Sequence, residues 1–238
     1  MQRILEPEVM DSQEDAREYN KMDHAEVNRA FIAELSAFVD ANGKRFRGED
    51  DPDFDELDDP DVLAGWLDVG TGTALIPIEL CKQRDEIRVM AIDMAISMLD
   101  LGIANVDIAG LREQIQLAQV DAKDTGFEDE MFDGLISNSI VHHIHQPELS
   151  VDEMTRVTRP EGVVFVRDLM RPESESDVDK IVDTYAADET EYCRKLFRDS
   201  LCAALSLDEM RAFVEAAGCD PQHVTATSDR HWTWATIR

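Results

Sequence analysis

The stretch Trp66-Leu67-Asp68-Val69-Gly70-Thr71-Gly72-Thr73-Ala74 decides the fold. An apolar strand runs into an acidic residue, turns through two glycines and opens a helix. Glycines at 70 and 72 permit a tight turn and let a ligand approach backbone N–H groups. The helix N-terminus beyond them favours a negative ligand group. A dinucleotide fingerprint would carry a third glycine at position 75, where Leu75 stands.

Outward from that turn, strands and helices alternate. The pattern predicts a strand over 63–69 and a helix over 74–81, with Pro77 tolerated near its start. Further strands are expected over 87–92, 115–120, 134–137 and 162–167. Helices are expected from 95 to 101 and over 147–156. Such alternation implies a mostly parallel sheet covered on both faces. Residues 173–205 read as acidic helices inserted before the last strands. Ser206 with Glu209 forms a capping-box pattern that opens a helix closed by Gly218. Two β-like stretches follow, 224–227 and 232–237. The turn between them is too short for a parallel crossover, so they are expected to be antiparallel. Residues 1–60 form a helical preface, in which Asp23 and Glu26 resemble a capping box. Val27, Phe31, Leu35 and Phe38 there recur at helical spacing. Residues 61–238 form the main domain.

Composition narrows the function. The 238 residues carry 52 acidic and 23 basic side chains, a net charge of −29. Nucleic-acid binding is excluded on this reading, because phosphate affinity rests on Lys and Arg. Anionic membrane surfaces are poor partners for the same reason. The hydrophobic content of 43% suffices for a core. No segment reaches the roughly 18 apolar residues of a membrane span. The N-terminal sequence lacks a basic-then-apolar signal layout, so a cytoplasmic protein is expected. Cys81, Cys193, Cys202 and Cys219 form no CxxC pair and have no His at zinc-like spacing. They are expected as buried reduced thiols, and no metal is expected. The acidic run 49–61 lacks the mid-loop glycine of a calcium loop and reads as solvated.

Three further segments bring polar groups to strand ends. Asp93 closes Met90-Ala91-Ile92-Asp93, 21 residues after Gly72, where a carboxylate can accept from both hydroxyls of a ribose. Asp121 and Ala122 follow the next strand, and Asp121 could accept from an adenine amine. Phe132-Asp133-Gly134-Leu135-Ile136-Ser137-Asn138-Ser139 brings Asn138 to a fourth strand mouth, with His142 and His143 one turn on.

These segments resemble the class I S-adenosylmethionine-dependent methyltransferases. LDVGTGTA is similar to their first motif, AIDMAISML to their second, VDA to their third and FDGLISNSIVHHI to their fourth. The resemblance covers roughly residues 60–170, plus the terminal strand pair by pattern. It is nearest to the small-molecule group that includes quinone-biosynthesis enzymes. Ala74 departs from it, because many members carry a third glycine there. An α/β doubly wound, mostly parallel seven-stranded sheet with an antiparallel C-terminal strand is what the resemblance implies. So are S-adenosylmethionine as cofactor and a small-molecule acceptor. Under it Asp68 organises the loop, and Gly70, Thr71 and Gly72 pass the methionine part. Asp93 holds the ribose, Met94 packs on adenine, and Asp121 and Ala122 meet its edge. Asn138 and Ser139 lie near the sulfonium. Tyr19, in the preface, closes over the cofactor.

Methyl transfer from a sulfonium is an in-line displacement that needs a general base only when the acceptor arrives protonated. His142 and His143 are the first candidates, with His145, Asp168, Tyr185 and Tyr192 behind them. Packing beneath the pocket is the alternative for the histidine pair. Substrate choice is assigned to the insert, through Tyr185, Tyr192 and Arg198, the last able to pair with an anionic acceptor. The alternative is an amphipathic helix whose Leu196, Leu201 and Leu205 pack on the sheet while its charges face water. The 231–234 stretch reads as core and pocket wall. Two competing functions are an NAD-linked oxidoreductase, disfavoured by Leu75 and the antiparallel tail, and a non-catalytic cofactor-binding module. A base-amine methyltransferase is disfavoured further, because Asn138 is followed by Ser139-Ile140 rather than by two prolines.

Overall fold

The computed structural model describes residues 1–9, 11–21, 24–51 and 59–238. Asp23 and most of the acidic run 49–61 lie outside these residues. The preface supplies α1 (Gln13–Lys21), α2 (Ala25–Ala41) and the short β1 (Arg45–Phe46). Helix α2 buries Phe31, Ile32, Leu35 and Val39 along one face. Val27, expected in that stripe, is exposed. His24 takes the N-cap position and its side chain makes no capping bond.

The strand predicted over 63–69 is divided. Its start, β2 (Val62–Leu63), pairs in parallel with β1 as a separate two-stranded sheet, and β3 (Gly65–Val69) enters the main sheet. Asp133 explains the break, since its Oδ2 accepts from the N–H groups of Ala64 at 2.9 Å and Gly65 at 2.7 Å. Then come α3 (Leu75–Gln83), β4 (Arg88–Asp93), α4 (Ile96–Ala109) and β5 (Ile115–Gln119). After them run β6 (Phe132–Asn138), α5 (Pro147–Val157) and β7 (Thr158–Leu169). Strands β6 and β7 are longer than expected, because Thr158 already pairs with Phe132 before the bulge at Gly134. Ala74 lies outside α3, at its N-cap, with φ +62°. That left-handed conformation is why a glycine suits the position; here alanine bears a strain of about 1 kcal/mol.

The insert folds as α6 (Glu175–Tyr185), capped by Ser174, and α7 (Glu191–Ala203), capped by Thr190. They share a small core of their own with Leu169, made by Val178, Ile181, Val182, Leu201 and Ala204. The expected capping box at Ser206 and Glu209 opens α8 (Leu207–Ala216). The chain ends in β8 (Val224–Ala226) and β9 (His231–Ile237).

The main sheet has seven strands in the order β5-β4-β3-β6-β7-β9-β8. Strands β3 to β7 are parallel, and β9 runs antiparallel to both its neighbours. Alternation along each strand divides the core into two faces. Trp66, Ile136, Val163 and Phe165 join α2 and α3 on one side. Leu67, Val69, Leu135, Val164 and Val166 join α5 and α8 on the other, with Trp232 and Trp234. Strand β3 pairs with β4 on one side and β6 on the other, so the chain reverses its direction of winding at β3. In open α/β sheets that switch point is where a crevice forms at the carboxyl ends of the strands.

Trp66 stacks on Phe46 with centroids 5.4 Å apart. Room for the indole comes from Gly134, where an added Cβ would lie 2.5 Å from Trp66 Cε3 and Cζ3. Gly134→Ala should destabilise the protein by about 1–3 kcal/mol through overpacking. Denaturant unfolding would read the loss, and an unchanged midpoint would show that Trp66 moves aside freely.

Candidate active site

A cavity of about 270 Å³ opens at the carboxyl edge of β3, β4, β5 and β6. The turn after β3 forms its floor and is tied to β4. The N–H groups of Gly70 and Thr71 both donate to the Ile92 carbonyl at 2.9 Å, and Gly72 N–H donates to Asp93 Oδ2 at 2.8 Å. Gly70 sits at φ +73° with Ile140 pressed on it, leaving only 2.4 Å between an added Cβ and Ile140 Cβ. Gly72, at φ +54°, would meet nothing nearer than Tyr19 Cε1 at 3.9 Å, so its free side faces the cavity.

Asp93 also accepts from Ala95 N–H at 2.9 Å, on its other oxygen. It thus serves as clasp for the loop and as start of the next helix, while the carboxylate keeps lone pairs for a ligand. Burial raises its pKa, and the N–H groups of Ala95 and Gly72 oppose that rise. Asp68 stands behind the wall of the cavity, 2% exposed. Its Oδ2 has no hydrogen-bond partner among the described residues. Burial pushes its carboxyl up to about 7, against the Thr71 hydroxyl and with help from Asp93.

Most of the expected residues meet here. Tyr19, Gly70, Gly72, Asp93, Met94, Asp121, Ala122, Asn138, Ser139, His143 and Tyr192 all line the cavity. Thr71, like Asp68, is buried and outside the lining. Two substrate candidates are placed elsewhere. The Tyr185 hydroxyl donates to Asp229 at 2.8 Å and its ring carries Arg230, while Arg198 pairs with Asp179. Tyr185 is thus held against the turn between β8 and β9 and Arg198 against α6, neither lines the cavity, and the insert reaches it through α7 with Tyr192, Cys193 and Leu196. Only Cys81 is a buried thiol; the other three are half-buried, and all four are free.

The histidine pair divides. His142 is buried, and its Nδ1 lies 2.6 Å from Asp168 Oδ1. Burial would lower its pKa, but Asp168 outweighs burial and raises it. His143 faces the cavity, and burial together with His142 pushes it down to about 3, so it is neutral. His145 is taken up by the Glu6 carbonyl at 2.8 Å.

Several residues carried no local signal. Lys123 lines the cavity and bridges Glu8 at 2.7 Å and Asp121 at 3.2 Å. Residues 1–9 cross the insert and the site. Arg3 donates to the carbonyls of Ala203, His142 and Ile144, and Ile4 N–H donates to the Cys202 carbonyl. Glu8 and Val9 then reach the cavity.

Comparison with known proteins agrees with this architecture. Residues 67–166 match the methyltransferase domain family. A phosphatidylethanolamine N-methyltransferase of Cereibacter sphaeroides is 36% identical over 42% of this chain and 48% of its own. A demethylmenaquinone methyltransferase of Porphyromonas gingivalis is 29% identical over 45% of this chain and 44% of its own. The chain thus spans about half the length of these curated relatives. A SAM-dependent methyltransferase from Aquifex aeolicus shares the fold, with a TM-score of 0.53 at 18% identity over 74% of this chain and 82% of that one. Residues 67–166 carry a methyltransferase domain of the class I S-adenosylmethionine-dependent type, and S-adenosylmethionine is the cofactor of that class.

The residues present fit that cofactor. The glycine turn gives a backbone cradle free of side chains, and the orphaned Asp68 carboxyl supplies unused acceptor capacity behind it. Asp93 and Asp121 offer carboxylates, and Ile92, Met94, Met98 and Val120 offer apolar walls for a purine.

A buried carboxyl with a raised pKa destabilises the fold once it ionises. Its contribution is present below the ordinary value of 3.8 and lost as pH rises through about 7. Asp68→Asn should therefore gain stability over the ligand-free wild type between about pH 5 and pH 8. Thermal unfolding at the two pH values would test this, and a pH-independent difference would contradict it.

Proposed function

We propose that this protein binds S-adenosylmethionine in the cavity and transfers its methyl group to a small-molecule acceptor held on the α7 side. The supporting observation is the convergence of Gly70, Gly72, Asp93, Asp121 and Asn138 on one cavity at the switch point of the sheet. Asp93 holds the ribose hydroxyls with the lone pairs left over from Gly72 and Ala95. Met94, Met98 and Val120 pack on the adenine, and Asp121 with Ala122 meets its edge. Asp68 sets the loop and compensates the positive amino end. Asn138 and Ser139 lie beside the reacting centre.

When bound, the cofactor supplies an activated methyl on a cationic sulfur. The protein supplies approach, alignment and exclusion of water. Residues 1–9 and α7 cover the cavity, and Tyr19 lies over the glycine turn. Tyr192 and His143 face the acceptor, and His143, pushed down to about 3, is neutral and too weak a base to take its proton, so it can only hydrogen-bond to it. The relatives' names include a phospholipid amine and a quinone precursor, so the chemistry of the acceptor varies among similar domains. The net charge of −29 argues against a nucleic acid in that role. Among the described residues no helix is long and apolar enough to cross a membrane.

Calorimetry with S-adenosylhomocysteine should show one saturable site, and none would overturn the proposal. Asp93→Ala should weaken that binding by about 1–3 kcal/mol, because charged hydrogen bonds and the loop clasp are lost together. Transfer of labelled methyl from S-adenosylmethionine to a metabolite extract separates an enzyme from a module that only binds. Tyr192→Ala should raise KM for the acceptor at least about tenfold, about 1.4 kcal/mol, with cofactor affinity unchanged. A loss confined to cofactor binding would move Tyr192 to the other side of the cavity.

A further inference from the structure

Beside the cavity, three groups from distant parts of the chain converge. Glu6, His142 and His143 each offer a ligand atom, and these atoms lie within 4.8 Å of one another. Glu6 Oε2 is 3.8 Å from His143 Nδ1, and the two imidazole rings are 4.1 Å apart at their centroids. The side chains are 9% exposed for Glu6, 6% for His142 and 15% for His143. Glu6 Oε1 and His143 Nδ1 are both shielded from solvent and have no hydrogen-bond partner among the described residues. Leaving a carboxylate oxygen and a ring nitrogen buried and unpaired at adjacent positions is costly unless something binds between them.

We propose that Glu6, His142 and His143 hold a first-row divalent cation of the zinc type. Two imidazoles and one carboxylate are a ligand set such ions accept, and three protein ligands leave a position open on a four-coordinate ion. The His142 ring is already oriented for ligation, because Asp168 takes up Nδ1 and leaves Nε2 as the ligand atom. The local charge also suits a cation. Glu6 and Asp168 are two carboxylates near one guanidinium, Arg3, whose donors are taken by main-chain carbonyls, while Arg171 is paired with Glu209. His143 lines the cavity, so the open position borders it and takes water or an oxygen donor of the acceptor. The ion would also fasten residues 1–9 over the site, because Glu6 belongs to that segment. No spacing rule could reveal the set, since Glu6 and the histidines lie at opposite ends of a long stretch of sequence.

The test uses the full chain, freed of metal with a chelator and without S-adenosylmethionine, so its failure leaves the methyl-transfer reading untouched. Titration with Zn²⁺ should show one equivalent of saturable binding. Co²⁺ in its place should give the visible absorption of a low-symmetry nitrogen and oxygen site, without the near-ultraviolet band of a thiolate ligand. Glu6→Gln and His143→Ala should each weaken Zn²⁺ binding at least about tenfold. Circular dichroism and thermal unfolding would report whether each variant is folded. Absence of saturable binding, a thiolate band that places the ion on cysteine, or full affinity in both folded variants would each overturn the proposal.

Discussion

The carboxyl edge of the sheet depends on one clasp. Three consecutive N–H groups of the β3 turn, those of Gly70, Thr71 and Gly72, are all taken by the end of β4, two by the Ile92 carbonyl and one by the Asp93 carboxylate. A loop with two left-handed glycines would otherwise sample many conformations. Bonded this way, it is part of the sheet, and its glycine faces stay open to the cavity. Asp93 does this while still presenting lone pairs outward, so one side chain both shapes the site and belongs to it. Ile140, pressed on Gly70, extends the same constraint to the loop after β6.

This arrangement explains which parts of the site were legible in the sequence. Asp93 and Asp121 sit at strand ends, and a strand end is found from hydrophobic runs a few residues long. Gly70 and Gly72 announce a turn for the same local reason. The parallel sheet and its antiparallel ending were legible too, because strands alternating with helices pair in parallel and a short terminal turn allows only an antiparallel pair. Val27, Tyr185 and Arg198 mark the limit of such reasoning. An amphipathic helix can be recognised from spacing, but its rotation against its neighbours cannot, and a shift of one residue turns a side chain by about 100°. Tyr185 and Tyr192 belong to different helices of the insert, and only the second helix turns its face inward. Lys123, Glu6 and Glu8 were invisible for another reason: their roles arise from contacts between segments far apart in the chain, and no local pattern encodes those.

The large negative charge acquires a division of labour. Many acidic side chains are exposed, some in surface pairs such as Arg198 with Asp179 that are worth little individually and add nothing to the net charge. A few carboxylates are buried at cost. Asp68 is held near neutrality by its surroundings, Asp93 is committed to main-chain donors, and Asp168 is lowered by its buried partner His142 despite burial. These three carry positional information that the net charge conceals. An acidic surface also draws a cationic ligand toward the cavity in dilute salt, an effect that fades as ionic strength rises.

Arg3 bonds to His142 across 139 residues of sequence and to Ala203 across 200. Those carbonyls exist in place only after the sheet and the insert have formed, so this segment docks late in folding. Its hold is a handful of hydrogen bonds and the Glu8–Lys123 ion pair rather than a broad apolar interface. Such a contact can open without disturbing the core, as local fluctuations of small free-energy cost do. Exchange of molecules at the cavity would then follow the breathing of a short peptide, and turnover could be paced by that motion instead of by bond making.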